Sequence, residues 1–349
     1  MKTFKTPLLY LLQIAAALVI FSSCKKAPEV IPVQKTLIGD VYVVCEGSFG
    51  SGNGTITFLN NGIVDNDIFQ NANHRPLGDQ AQSMTLYGGK AYVLVQNSGK
   101  IEVVDTATFV SSAIIDDKIS SPRNMVVYNN TGYVSDWTSN KIKVINLSTN
   151  LVTDSITVDE VPDGLLVKGT TLYVSNTGLN WGVGTHISII DLTTNTKTGS
   201  IITSGNPADM VEDANGKIWV LCGGDGFSGV NGALVKIDPS TNTVLTTVNF
   251  STPGDFPYHL KKNIASNVLY YTIGGQLFKF PITATTESTT PFITRNFYSF
   301  GISPANDEVI GTIAAADFVS NGKLLHYSAA GIKLDSATVG VGPGNVVFK

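Results

Sequence analysis

The sequence is poor in charged residues and in the residues that most often bind metals. Asp, Glu, Lys and Arg make up only 14% of the 349 residues, and the formal net charge is −4. Nucleic-acid binding needs clustered Lys and Arg, so we expect no nucleic-acid partner. There are three cysteines and four histidines, and neither an HExxH nor a CxxC motif occurs. The common zinc motifs are therefore absent, and we expect neither a bound metal nor an intrinsic cofactor.

The chain also lacks a phosphate-binding loop, although YVVCEGSFGSGNGTITFLN (42–60) places four glycines between two apolar segments. A P-loop needs a Lys and a hydroxyl directly after its glycines, whereas Thr55 follows Gly54 here. A dinucleotide-binding loop is followed by a helix, whereas residues 55–60 are β-branched and alternating, which predicts a strand. The glycine-rich segment therefore predicts a loop between two strands.

Long apolar runs are rare, and the longest lies near the N-terminus. Residues 8–21 are apolar apart from Gln13 and follow two lysines, and Ser22-Ser23-Cys24 comes next. A basic start, a short apolar stretch and small residues are typical of a secretory signal peptide. The junction resembles a bacterial lipobox, which predicts lipid attachment at Cys24. The alternative is an ordinary signal peptide with an incidental cysteine.

The chain should therefore have three parts. We expect residues 1–23 to be a lipoprotein signal peptide and residues 24–38 to be a lipidated tether, since the tether has two prolines and no periodic pattern. Residues 39–349 should form the folded domain. The expected location is the outer membrane, on its cell-surface or its periplasmic side, with membrane contact through the lipid anchor only.

From residue 39 onward the sequence repeats with a period in the low forties. The most regular element is a short aliphatic strand that closes on a polar residue or on proline. Its seven copies are TITFLN (55–60), KIEVVD (100–105), KIKVIN (141–146), HISIID (186–191), ALVKID (233–238), QLFKFP (276–281) and KLLHYS (323–328). A second strand precedes each copy, anchored by Tyr42, Tyr92, Tyr133, Tyr173, Trp219, Tyr270 and Ile310.

A third element precedes each anchored strand and ends on an apolar residue. Its copies are AQSM (81–84), PRNM (122–125), PDGL (162–165), PADM (207–210), PYHL (257–260), SFGI (299–302) and PGNV (343–346). This period, with about four short alternating strands per unit, predicts an all-β fold, a seven-bladed β-propeller. The chain starts on the second strand type and ends on the first, so the C-terminal strand should complete blade one and close the ring.

Two sets of loops should converge on one face of this propeller, which we call the mouth. Loops that enter the innermost strands should bring polar and aromatic residues to the axis. These residues are Gln82, Ser83, Arg123, Asn124, Asp163, Asp209, Tyr258, His259, Phe300 and Asn345. Loops between second and third strands are long in four blades, and long loops on a rigid scaffold often bind ligands. They supply Phe49, Trp181, Phe227 and Phe318, and Trp137 comes from blade three.

This mixture of aromatic, amide and carboxylate side chains predicts a site for a large molecule with polar and apolar parts. His259 lies at the mouth and could act as an acid, a base or a metal ligand, and Asp163 and Asp209 could form a carboxylate pair. His186 and His326 lie in third strands and should be structural. No nucleophile and base can be paired from the sequence, so we predict a non-enzymatic protein without catalytic residues. Cys45 and Cys222 lie in distant blades and should be buried thiols.

One part of the chain carries a family resemblance. EGSFGSGNGTI (46–56), followed by RPLGDQAQSMTLYGGKAYVLVQNSGKIEVVD (75–105), resembles the YncE-like, DUF5074-type seven-bladed propeller lipoproteins of Bacteroidota. That family includes a surface cobalamin-binding propeller, which passes vitamin B12 to a TonB-dependent outer-membrane transporter. The chain departs from the family pattern at Cys45, where an asparagine is expected, and at Lys25 and Lys26, where an acidic run is expected.

The resemblance implies a function that the residues alone do not specify. It implies capture of a corrinoid (cobalamin) or a similar large nutrient at the mouth, with a TonB-dependent transporter as partner. Two alternatives remain open. One is an exported enzyme of the lactonase-like or quinoprotein-like kind, and the other is a YncE-type scaffold that docks proteins. An enzyme should gather acids, bases or a metal at the mouth, whereas a binding protein should have a broad basin lined by aromatic residues.

Overall fold

The computed structural model of the chain describes residues 41–60, 62–178, 183–225, 229–251 and 256–349. The predicted signal peptide, Cys24 and the tether lie outside these residues. Within the described ranges no helix is both long enough and apolar enough to cross a membrane.

The described residues form seven antiparallel sheets, which are the blades of a propeller. The first strands of successive blades contact one another in a closed ring, so they lie innermost around the axis. In order from blade one to blade seven, they are β27 (Pro343–Phe348), β4 (Ala81–Tyr87), β8 (Pro122–Tyr128), β12 (Val161–Lys168), β16 (Pro207–Glu212), β20 (Pro257–Lys262) and β23 (Ser299–Ile302). The predicted seven-bladed propeller is therefore confirmed.

The second and third strands match the repeats in the sequence. The second strands are β1 (Val41–Cys45), β5 (Lys90–Val95), β9 (Thr131–Asp136), β13 (Thr171–Thr177), β17 (Ile218–Cys222), β21 (Val268–Ile273) and β24 (Val309–Ile313). The third strands are β2 (Thr55–Asn60), β6 (Lys100–Asp105), β10 (Lys141–Asn146), β14 (His186–Asp191), β18 (Ala233–Asp238), β22 (Gln276–Pro281) and β25 (Gly322–Tyr327).

The outer edge of the blades is less regular than the inner strands. The fourth strands are β3 (Ile63–Asp65), β7 (Ser111–Ile115), β11 (Leu151–Thr157), β15 (Thr196–Ile202), β19 (Thr243–Asn249) and β26 (Lys333–Val339). A six-residue helix, Ile68–Asn73, follows β3, and a short 3-10 helix, Trp137–Ser139, follows β9. Blade six has three strands in the described residues, and the amides of Phe292 and Ile293 cap its edge by donating to the carbonyl of Leu277 at 2.7 and 3.2 Å.

The core consists of seven apolar clusters, one between each pair of neighbouring blades. Strand β5 shows why the second strands are apolar throughout. Tyr92 and Leu94 pack toward blade three, whereas Ala91, Val93 and Val95 pack toward blade one. Successive side chains point to opposite faces of a strand, so a strand between two other blades buries both faces. Each fully buried Val, Leu, Ile, Phe or Met side chain contributes about 1.5–3 kcal/mol.

The ring is closed by the C-terminal strand, as predicted. Strand β27 pairs antiparallel with β1, from Val41 opposite Phe348 to Cys45 opposite Pro343. Strand β27 also contacts the inner strands of blades two and seven. Blade one is thus made from both ends of the domain, and the backbone groups of β1 that would otherwise form an open edge are paired.

Candidate functional site

Each blade brings one equivalent residue to the central cavity at the mouth. In blade three the anchor Tyr133 pairs with Val126, and Arg123 lies three residues before that partner. The same step from each of the other anchors reaches a residue that lines the cavity. We call these seven residues the ring positions: Gly344, Gln82, Arg123, Asp163, Ala208, Tyr258 and Tyr298.

In blades one to six, a β-bulge next to the ring position determines the direction in which the side chain at that position points. The pairing between first and second strands shifts by one residue there, for example between Pro162 and Leu165. A bulge bends its strand and turns a side chain away from the regular alternation. Buried hydroxyls compensate the disturbed backbone, because Ser135 Oγ accepts from the amide of Asn124 at 3.1 Å and Ser175 Oγ accepts from that of Gly164 at 2.8 Å.

The ring position of blade seven corrects one sequence prediction. The repeat pattern equates SFGI (299–302) with PRNM (122–125), which places Phe300 at the axis. The pairing of Ile310 with Gly301 makes 297–300 the equivalent segment, so the alignment was two residues late and the prediction for Phe300 was wrong. Phe300 is fully buried between blades, and Tyr298 lines the cavity. A shift of two residues keeps the same strand face, so apolar alternation cannot detect it.

The cavity has a volume of about 1090 Å³. Nine of the residues that the sequence predicted for the ligand site line it: Gln82, Arg123, Asn124, Trp137, Asp163, Asp209, Tyr258, His259 and Asn345. Phe49 and Phe318 do not line it and lie on exposed loops. Trp181 and Phe227 lie outside the described residues. The sequence missed further lining residues, among them Glu46, Gln80, Gln96, Asn206, Phe256, Lys261 and Tyr298.

Arg123 organises one side of the cavity. Its guanidinium lies over the indole of Trp137, 3.9 Å from the ring centroid, which is cation–π geometry. It donates to the side-chain oxygens of Gln82 and Gln96, and its Nε lies 3.5 Å from Asp163 Oδ1. Asn124 lies beside this pair and donates to Asp163 Oδ1 at 3.1 Å. The positive charge is therefore held in one position and largely neutralised.

Asp209, His259 and Lys261 form a second group across the cavity. Lys261 Nζ lies 3.6 Å from Asp209 Oδ2, and the amide of Leu260 donates to the same oxygen at 2.8 Å. Burial alone would raise the pKa of Asp209, but the charges of Lys261 and His259 and the amide bring this pKa below its ordinary value. Burial lowers the pKa of His259 despite the opposing charge of Asp209. His259 is therefore neutral at pH 7, and its Nε2 donates to the carbonyl of Tyr298 at 3.0 Å.

The surroundings of Glu46, another lining residue, shift its pKa in the opposite direction. Burial raises the pKa of Glu46, although the hydroxyl of Tyr298, the charge of Arg123 and the amide of Gln82 favour its ionised form. Tyr298 donates to Glu46 Oε2 at 2.9 Å. Gly344 makes room for this carboxylate, because a Cβ there would lie 2.3 Å from Glu46 Oε1. The sequence contained a signal for Glu46, since this residue directly follows a second strand at the start of the glycine-rich loop.

Backbone amides of the glycine-rich loop donate hydrogen bonds to other groups of the protein. Gly47 and Gly50 have φ of +81° and +77°, where a side chain would strain the backbone. The amide of Gly50 donates to both carboxylate oxygens of Asp79 at 3.0 and 3.2 Å, which ties the loop to blade two. Ser48 Oγ donates to the carbonyl of Phe318 at 2.8 Å, which ties it to the loop of blade seven.

His186 and His326 each pair with a glutamate, and Cys45 and Cys222 are buried thiols, as the sequence predicted. His326 is buried with Nε2 2.7 Å from Glu308 Oε2, and His186 Nδ1 lies 2.6 Å from Glu160 Oε1. Cys45 and Cys222 are free and buried, and burial raises their pKa values to about 11 and about 12. Among the described residues, no three His, Cys, Asp or Glu side chains converge as metal ligands.

Comparison with solved structures supports the fold and no more. A Bacteroides uniformis protein, provisionally named a 6-phosphogluconolactonase, has a TM-score of 0.63 at 12% identity, over 89% of this chain and 99% of that one. A similarly named protein from Bacteroides fragilis has a TM-score of 0.63 at 13% identity, over 89% and 98%. Hydrazine synthase of Kuenenia stuttgartiensis has a TM-score of 0.60 at 15% identity, over 76% and 88%.

Sequence comparison is more specific, although no curated protein matches the chain. The family described as "Domain of unknown function (DUF5074)" matches residues 39–339, which covers nearly the whole propeller. That match includes both segments that suggested the resemblance, residues 46–56 and 75–105. The chain belongs to the DUF5074 family.

Proposed function

We propose that this protein is an exported, lipid-anchored binding protein that captures one large organic ligand in its mouth. The first candidate is a corrinoid such as vitamin B12, which the protein would hand to a TonB-dependent outer-membrane transporter. The observation that carries this proposal is the ring of seven equivalent positions around one large cavity. The lining combines amide side chains, aromatic rings and charges that are mostly paired with one another.

The size and polarity of the cavity favour a large, amide-rich ligand. Its volume of about 1090 Å³ lies at the upper end of the roughly 300–1,000 Å³ that is usual for small-molecule sites. Among the described residues, six amide side chains line it, and each amide offers two donors and one acceptor oxygen. They are Gln80, Gln82, Gln96, Asn124, Asn206 and Asn345. A corrinoid has a broad macrocycle edged by amide arms, and such a lining fits it.

Binding should be tested by calorimetry and absorbance with cyanocobalamin, using the mature chain with Cys24→Ser. We expect binding at micromolar or lower concentrations, with a spectral shift. Tyr258→Ala should weaken it about 30-fold, because removing a ring that contacts the ligand at a binding hot spot costs about 2 kcal/mol. Tyr87→Ala is the matched control, since Tyr87 is also exposed but lies outside the cavity lining.

Two results would contradict this assignment. Absence of both heat and spectral shift would reject the corrinoid. Equal losses from Tyr258→Ala and Tyr87→Ala would place the ligand outside the cavity.

The proposed membrane attachment rests on the sequence around Cys24. The chain with Cys24→Ser should be released from the membrane fraction and should carry no labelled palmitate. The chain with Cys24 intact should stay in the membrane fraction and incorporate labelled palmitate. Loss of the protein should lower transporter-dependent uptake of cyanocobalamin at low external concentration. Unchanged uptake, together with sedimentation of the Cys24→Ser chain with the membrane, would reject anchoring and delivery.

A second candidate function is an exported lactonase-like enzyme, and the Asp209–His259–Lys261 group favours it. A neutral imidazole beside a carboxylate can act as a general base. Hydrolysis of a panel of unphosphorylated lactones, corrected for the spontaneous rate, tests this candidate. An enzyme should lose activity on His259→Asn, whereas a binding protein should hydrolyse none of them above the spontaneous rate.

A further inference from the structure

The cavity carries more negative than positive groups. Among the described residues that line it, four are carboxylates, Glu46, Asp163, Asp209 and Asp225, and two are cations, Arg123 and Lys261. None of the internal residues outside the described ranges is Lys or Arg. These internal residues therefore add no positive charge that could offset the excess of negative charge.

The two cations are close to carboxylates of their own. Arg123 Nε lies 3.5 Å from Asp163, and Lys261 Nζ lies 3.6 Å from Asp209. Each pair presents little net charge to a ligand at the centre of the cavity. His259 adds none at neutral pH, since burial and Lys261 favour its neutral form. Glu46 is then the lining carboxylate that these two pairs do not include, and it gives the cavity its negative sign.

Glu46 is held in the wall by contacts from several blades. Its amide donates to the carbonyl of Gly342 at 2.8 Å, and its carboxylate accepts from Tyr298. The carboxylate occupies the space left by the missing side chain of Gly344, the ring position of blade one. Because the protein fixes this acceptor in a partly water-excluded wall, its interaction with a ligand charge is screened less than at an open surface.

We propose that the cavity selects uncharged or cationic ligands and rejects an anionic ligand of the same shape, with Glu46 as the residue that sets this selection. The inference rests on the proposed function as a binding site, but it does not depend on the ligand being a corrinoid. It separates this cavity from sites for phosphorylated sugars, which need positive groups or free backbone amides.

Quenching of tryptophan fluorescence tests the charge of the cavity without any ligand. In a Trp181→Phe background, Trp137 in the cavity wall and the buried Trp219 are the remaining tryptophans. The measured quantity is the ratio of the quenching constant of iodide to that of caesium. For the protein, this iodide-to-caesium ratio should be at least about threefold lower than for free N-acetyltryptophanamide. The ionic strength should stay near 0.1 M, where the Debye length is about 10 Å.

Glu46→Gln should raise the iodide-to-caesium ratio, whereas the matched control Glu212→Gln, outside the cavity lining, should leave it unchanged. A ratio equal to or above that of the free compound would overturn the proposal whatever the ligand is. A low ratio that Glu46→Gln does not change would remove Glu46 as the residue responsible.

A matched pair of ligands gives the second test. Cyanocobalamin should bind at least about tenfold more tightly than its monocarboxylates, in which one side-chain amide is hydrolysed. Glu46→Gln should narrow that gap. If cyanocobalamin does not bind but iodide is excluded, the corrinoid assignment fails and the charge selection stands. If monocarboxylates bind as well as cyanocobalamin, the charge selection fails and the binding function stands.

Discussion

The two sides of the mouth use the same strand position but carry different chemistry. Blades two to four place Gln82, Arg123 and Asp163 at their ring positions, whereas blades six and seven place Tyr258 and Tyr298 there. The backbone that delivers these residues is equivalent in each blade. The propeller therefore fixes where a ligand is contacted, and the individual blade decides by which side chain.

The two sides also differ in what holds them. On the polar side, Arg123, Gln82, Gln96 and Asp163 hold one another through hydrogen bonds and charge. On the aromatic side, support comes from packing and from single hydrogen bonds, since the ring of His259 meets the buried Phe300 edge-on and Tyr298 meets Glu46. We therefore expect a single substitution to disturb more of the polar side than of the aromatic side.

The largest expected effect comes from removing β27, the strand that closes the ring and so supports both sides of the mouth. Deletion of residues 343–349 removes β27 and exposes the edge of β1, together with the apolar clusters on either side of blade one. The thermal midpoint should fall by at least about 10 °C, since a loss of 1 kcal/mol lowers it by about 2–4 °C in a domain of 150–250 residues. Circular dichroism melting and light scattering measure this.

Deletion of Lys349 alone is the control, since Lys349 lies beyond β27. It should leave the midpoint within about 2 °C, because the strand and its pairing remain. Equal midpoints for the longer deletion and the full chain would show that β27 does not stabilise the closed ring.

The fold could be predicted almost completely from the sequence, but the cavity wall could be predicted only in part. Blade number, strand positions and closure follow from repeated apolar alternation, which burial between blades enforces at every strand. The bulges break that alternation, so the direction of the ring residues is not visible in it. One missed signal was a hydroxyl two residues after the anchor, present as Ser135, Ser175, Thr272 and Thr312. Tyr298 was missed because the blade-seven alignment was two residues late, and its contact with Glu46 follows from ring closure, which brings blades one and seven together.

Removing a hydroxyl beside a bulge should lower the unfolding free energy more on the polar side of the mouth than on the aromatic side. Ser175→Ala leaves the amide of Gly164 without its side-chain acceptor at a buried position, which should cost about 1–3 kcal/mol of unfolding free energy. Thr272→Val removes a bond to the carbonyl of Tyr258, which has a second lone pair, so the loss should be smaller. Urea unfolding of both variants measures the difference, and a larger loss for Thr272→Val would reverse the expected order.

The geometry of Arg123 should matter more to binding than its charge. Arg123→Lys keeps the positive charge but cannot stack on Trp137 and donate to both glutamines at once. We expect about a tenfold loss of cyanocobalamin affinity, equivalent to about 1.4 kcal/mol. Tyr258→Phe on the aromatic side keeps the ring and should lose less than about threefold. Titration calorimetry measures the affinity of both variants for cyanocobalamin. Similar losses of affinity would show that the polar and aromatic sides contribute to binding in the same way.

The smallest expected effect is on the pH dependence of stability at Glu46, between the two sides. Burial raises the pKa of Glu46 above its ordinary value of 4.5, so folding favours the protonated acid. The stabilisation from Glu46 is then fully present below pH 4.5 and is lost as the pH rises through the folded-state pKa. Glu46→Gln removes this titration. The unfolding free energy of the variant, relative to the unmodified chain, should therefore rise from pH 4 to pH 7. Urea unfolding across that range measures the difference, in which the titration of Asp209 and His259 largely cancels. A relative stability that falls with rising pH would mean that Tyr298 and Arg123 outweigh burial at this carboxylate.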